Sequence, residues 1–114
     1  MQAPPSLSAQ AFDVYRTSRD LVRAVEDACI IDTDLCDHAM VAAKSAFLNL
    51  CEGLPTEEDI ARRACLARAR AAVQHVLAVV DLAVAIEDIE VERARIVETL
   101  AARVEAMIAA IQRR

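Results

Sequence analysis

A single glycine, Gly53, occurs in 114 residues, and tryptophan is missing altogether. Aromatic residues make up only 3% of the chain. A sheet protein draws on aromatic and β-branched residues for its strands and on Gly-rich turns between them, so this composition excludes one. No C-x-x-C pair relates Cys29, Cys36, Cys51 and Cys65. No phosphate-binding loop and no nucleophile–base pair is legible, so the reading is of a protein that is not an enzyme and holds no cofactor. The opening MQAPPSLSAQ lacks the basic and apolar regions of a signal peptide. A cytoplasmic protein with reduced cysteines, each packing as a small hydrophobe, is the natural expectation.

Hydrophobic residues account for 56%. Ala, Val, Leu, Arg and Glu dominate, a mixture that favours helix. The length fits one domain of the common size of roughly 100–150 residues. Formal net charge is −5, the reverse of the basic footprint usual in nucleic-acid binders. Lys44 is the one lysine among 13 basic residues.

Hydrophobic spacing predicts four helices. Residues 1–7, with Pro4 and Pro5, read as a flexible arm, and residues 8–114 as the bundle domain. Ser8 is positioned to cap a first helix from about Ala9 to Ala28, with Phe12, Tyr15, Val22, Val25 and Cys29 as its apolar stripe. Asp32, Thr33 and Asp34 offer caps for a second helix reaching about Glu52, whose stripe is Leu35, Ala39, Ala42, Ala43, Ala46, Phe47 and Leu50. Gly53 then stands where a left-handed residue would close the helix, and Pro55 forbids its continuation. Thr56 is the expected cap of a third helix ending near Ile86. Asp88 is the expected cap of a fourth, from about Glu90 to Gln112, carrying Val97, Leu100, Val104, Met107 and Ile111. Four amphipathic helices with short links predict an all-α, antiparallel up-down-up-down bundle.

The stretch Ala71–Ile86, AAVQHVLAVVDLAVAI, is broken only by Gln74, His75 and Asp81. It is too short for a membrane span of about 20 residues. A helix apolar on most sides must be buried on most sides. The expectation is a homo-oligomer assembled through the third helix, with Val73, Val76, Val80, Ala83 and Val84 at the interface.

The segment Ala43–Gly53, AKSAFLNLCEG, resembles the second helix of the ribosomal RNA intervening-sequence proteins, a family of small four-helix bundles. The likeness lies in the closing Asn-x-x-Glu-Gly motif of Asn49, Glu52 and Gly53. Phe12-Asp13-Val14-Tyr15-Arg16 is similar to the family's first helix, and Val80-Asp81-Leu82-Ala83-Val84 to the end of its third. Relatives include the accessory protein of diversity-generating retroelements, a pentameric barrel that binds a reverse transcriptase and RNA. The resemblance implies a cytoplasmic homo-oligomeric scaffold or adaptor, of five copies as in that relative, with another protein as a further partner; its alternative is a nucleic-acid-binding accessory protein acting with a reverse transcriptase or a ribosomal RNA element. The chain differs in lacking a proline within the second helix, in reading Glu87-Asp88 at the third turn, and in its acidic balance.

Asn49 and Glu52 share a face and are read as satisfying backbone groups around the Gly53–Pro55 turn. Arg62, Arg63, Arg68 and Arg70 form the densest basic cluster. A solvated, ion-paired face is the favoured reading, and a phosphate-tracking stripe for RNA or DNA is the alternative. A zinc set of Cys29, Cys36, His38 and Cys65 is disfavoured, because Cys36 and His38 point about 200° apart on one helix, and no metal is expected. His75 is read as an exposed or interface polar group.

Overall fold

The computed structural model describes residues 9–113. The N-terminal arm, the cap assigned to Ser8 and the terminal Arg114 lie outside those residues. The described chain is all-helical, with α1 (Ala9–Asp27), α2 (Thr33–Gly53), α3 (Asp59–Ala85) and α4 (Val91–Gln112). Each of the three links is five residues long, covering 28–32, 54–58 and 86–90. α2 packs on α1 and α3, and α4 packs on α1 and α3, so the helices close a ring around one core. With 27 residues at about 1.5 Å each, α3 runs nearly the length of the 43 Å long axis.

Local chemistry explains most boundaries. Asp32 caps α2, its carboxylate accepting from the Leu35 N–H at 2.9 Å. α3 is capped by Glu58, which accepts from the Ile60 and Ala61 amides. Thr56 does something else: its hydroxyl donates to the Glu52 carbonyl at 2.6 Å and closes α2. Asp88 is likewise not a cap. Its carboxylate accepts from the Asp32 N–H at 2.7 Å, and its carbonyl accepts from the Ile31 N–H, tying the third link to the first. Glu90 takes the N-cap position of α4 without a side-chain hydrogen bond.

Gly53 corrects the expectation of a left-handed terminator. It lies within α2, and the next residue, Leu54, has a right-handed φ of −60°. What this position demands is space, since a Cβ there would sit 2.6 Å from the Cys65 Cβ of α3. Among the described residues, the left-handed ones are Cys29 (φ 51°) and Glu87 (φ 56°), neither a glycine. After α3, the Asp88 N–H donates to Ala83 O at 2.7 Å and the Glu87 N–H to Val84 O at 3.1 Å. That is the double closure of a Schellman end, which places Glu87 in the position usually held by glycine.

The core face of α1 is also turned from the predicted stripe. Val14, Leu21 and Val25 are buried, together with Thr17 and Ser18, whereas Phe12, Tyr15 and Val22 are half-buried and Cys29 is exposed. The two hydroxyls enter the core because each donates to a carbonyl of its own helix, Thr17 to Asp13 and Ser18 to Tyr15. The aromatic rings gather on the rim: Tyr15 lies 6.3 Å from Phe12 and 5.2 Å from Phe47 of α2. On α2, Ala39, Ala42, Ala43, Ala46 and Leu50 are buried. Such small side chains let α3 approach closely, and the α2–α3 seam is the most extensive in the bundle. α4 contributes Ala94, Val97, Ala101, Val104, Ile108 and Ile111.

Candidate functional site

α3 presents two faces of different composition. Its inner face buries Leu66, Ala69, Val73, Val76, Val80 and Ala83 among their neighbours, each at most 1% exposed. Four of the five expected interface residues, Val73, Val76, Val80 and Ala83, are therefore part of the chain's own core. A second copy could reach them only by opening the bundle. Val84, the fifth, is 38% exposed. The physical reason is that α2 and α4, which pack on either side of α3, supply enough apolar surface to cover its inner face.

The opposite side of α3 is exposed, and its centre line is also uncharged. Ile60, Ala64, Ala67, Ala71, Ala78, Leu82 and Ala85 lie along it, all exposed. Their spacings of four, three, four, seven, four and three residues are those of a seam between two helices. Ile60 is 76% exposed and Leu82 49%. Gln74 interrupts the line, and its amide bonds the Glu105 carboxylate of α4. Asp81, exposed, stands at its edge.

The four arginines of the basic cluster do not form a stripe. At about 100° per residue, Arg62, Arg63, Arg68 and Arg70 spread around α3, with only Arg63 and Arg70 on one side. Arg63 is held by Asp59, whose hydrogen bond and charge raise the guanidinium above its ordinary pKa. Arg70 reaches Gln112 at 3.2 Å and Glu105 at 3.5 Å on α4. Arg68 donates through Nε to the Asn49 side chain at 3.0 Å and approaches the Cys65 sulfur at 3.2 Å. Arg62 lies by the α2–α3 link, beside Leu54 and Pro55.

Asn49 is thus a crosslink. Its amide donates to the Ser45 carbonyl at 2.8 Å on its own helix while its oxygen accepts from Arg68 of α3. Glu52 is exposed and takes part through its backbone carbonyl, which receives the Thr56 hydroxyl. Of the motif, then, Asn49 and Gly53 serve the α2–α3 seam, the one by bonding across it and the other by leaving room.

The four cysteines are free thiols, with Cys65 buried, Cys36 and Cys51 half-buried and Cys29 exposed. Burial pushes the Cys51 thiol above its ordinary pKa, so it is poorly disposed to act as a nucleophile. Among the described residues, no group of three or more His, Cys, Asp or Glu side chains is placed to hold a metal ion. The fold does bring together two residues far apart in sequence, His38 and His75, with ring centroids 5.6 Å apart across the α2–α3 seam. A groove of about 620 Å³ between α1 and α2 is lined by charges of both signs, including Arg19, Asp20 and Lys44. No described helix is long and apolar enough to cross a membrane.

The chain matches no family model, no curated protein and no solved structure.

Proposed function

We propose that this chain is a non-enzymatic assembly module, a helical-bundle scaffold or adaptor that homo-oligomerises through the outward face of α3. The observation that carries the reading is the exposed, uncharged line from Ile60 to Ala85. A side chain larger than alanine at most of these positions would hold a second helix away. Alanine lets two backbones approach, so the face is suited to meet an identical face on another copy. The bundle beneath it is taken as antiparallel up-down-up-down, because five-residue links return each helix beside its predecessor. Five copies is the number that the likeness to the intervening-sequence proteins implies. Free cysteines suit a reducing cytoplasm.

The arginine cluster supports this reading over a nucleic-acid one. Arg63, Arg68 and Arg70 have partners within the chain, and the net charge is −5. Sedimentation velocity across the micromolar range tests the proposal. The wild type should sediment as a discrete oligomer, and Ala71→Glu, which sets a carboxylate in the middle of the line, as a helical monomer. A wild type that stays monomeric throughout that range overturns it.

A further inference from the structure

We propose that His38 and His75 form a two-imidazole clamp for a divalent transition-metal ion, bridging α2 and α3 at the bundle surface. They are the only two histidines in the chain, 37 positions apart in sequence. Their ring centroids stand 5.6 Å apart with planes inclined by 49°. With metal–nitrogen bonds of about 2.1 Å and the ring centre roughly 1.2 Å behind the nitrogen, two imidazoles at a tetrahedral angle on one ion have centroids about 5.4 Å apart. The observed separation is within a small side-chain adjustment of that value. Both residues are exposed, so an ion can enter from solvent and water can fill the remaining positions. The Asp34 carboxylate lies 3.8 Å from His38 Nε2, one turn earlier on α2, and its negative charge favours a cation there. Two neutral imidazoles select the imidazole-preferring dications, Zn²⁺, Ni²⁺ or Cu²⁺, over Mg²⁺ or Ca²⁺, which require oxygen ligands. The backbones of α2 and α3 are already held by tight packing, so the second imidazole binds as an intramolecular step.

Both ligands come from one chain, and because His75 stands beside Ala71 and Ala78 on the outward side of α3, the titration is run at a concentration where the chain is monomeric. The experiment is calorimetric titration of the full chain with Zn²⁺, followed by thermal melting in its presence. One ion should bind per chain and raise the melting temperature. His38→Ala and His75→Ala should each lower the affinity by about a hundredfold, because each removes the intramolecular second bond. Both should abolish the melting shift, and the double variant should also lose the residual single-imidazole binding. Circular dichroism checks that the variants fold. Should either fail to fold, paramagnetic broadening by Co²⁺ in the wild type must affect both imidazole proton signals together at one equivalent. A Co²⁺ spectrum with a thiolate charge-transfer band would overturn the clamp, as it would place the ion on a cysteine. So would unchanged affinity in either histidine variant, or two ions binding independently, one to each ring.

Discussion

The inner and outer faces of α3 are both apolar, yet one is core and the other meets solvent. They differ in the size of their side chains. Inside stand Leu66, Val73, Val76 and Val80, which fill the space between helices and reach full burial. Outside, between Ile60 and Leu82, stand Ala64, Ala67, Ala71 and Ala78, each with little surface of its own. Burying a Val or Leu side chain contributes roughly 1.5–3 kcal/mol, and alanine far less. The core therefore forms on the branched face, and the alanine face is left over. An apolar run marks a helix with two apolar faces, but side-chain volume decides which of them folds the chain.

The strongest break in that contrast is Val80→Asp. Val80 is 1% exposed on the inner face. A carboxylate there leaves water without a partner, and the domain should lose several kcal/mol and its cooperative melt. Circular dichroism reads the loss directly. Asp81, the adjacent residue, shows how sharp the boundary is, since about 100° further around the helix a carboxylate is solvent-exposed.

The next largest effect concerns space rather than charge. Gly53→Ala brings a Cβ within 2.6 Å of the Cys65 Cβ, and both belong to helix backbones that cannot yield freely. Overpacking of this kind costs about 1–3 kcal/mol, partly offset by the gain of roughly 1 kcal/mol for alanine over glycine in a helix. Denaturant melts should show a net loss. Adding Cys65→Gly should recover part of it, since the double change removes the collision. A Gly53→Ala protein as stable as the wild type would show that α2 and α3 do not approach so closely.

These cases separate what was legible in the sequence from what was not. Asp32 as a cap and the alanine stripe of α2 follow from local chemistry and spacing. The end of α2 was also legible, but for the wrong reason: Gly53 marks it through close approach to α3, a property of two helices that no single stretch records. Thr17 and Ser18 disguise the core face of α1, because hydroxyls satisfied by their own helix are buried without any apolar signal. The cover over the inner face of α3 is invisible in one stretch for a related reason. Val73, Val76, Val80 and Ala83 do form the most apolar face of α3, and the rest of the same chain covers it. The pairing of His38 with His75, and of Asn49 with Arg68, exists only once α2 lies on α3.

A smaller effect of opposite sign is expected at Glu87, in the turn that ends the inner face of α3. Its φ of 56° is left-handed, and side-chain-bearing residues pay about 1 kcal/mol there. Glu87→Gly relieves that strain but frees the unfolded chain, so a net stabilisation of roughly 0.5 kcal/mol is expected. Chemical denaturation should show a raised midpoint with an unchanged slope. A lowered midpoint would mean that the Glu87 side chain holds the turn in some other way.

The smallest effect on folding sharpens the contrast between the faces most. Ala69 and Ala71 lie two residues apart on α3, the first fully buried and the second exposed. Replacing Ala69 by Leu forces added methylenes into a filled seam and should cost about 1–3 kcal/mol. Replacing Ala71 by Leu adds the same volume on the outer face, where surface substitutions usually stay within about 0.5 kcal/mol. The folding free energy of Ala71→Leu, measured where the chain is monomeric, should therefore barely move. Its assembly should still suffer. Leucine is as apolar as the interface could want, but it is too large for two alanine faces to close upon. If the oligomer forms through close approach, Ala71→Leu weakens it although hydrophobicity has risen. If Ala71→Leu strengthens the oligomer instead, the outer face associates by apolar area alone, and alanine at these positions has nothing to do with how near the helices come.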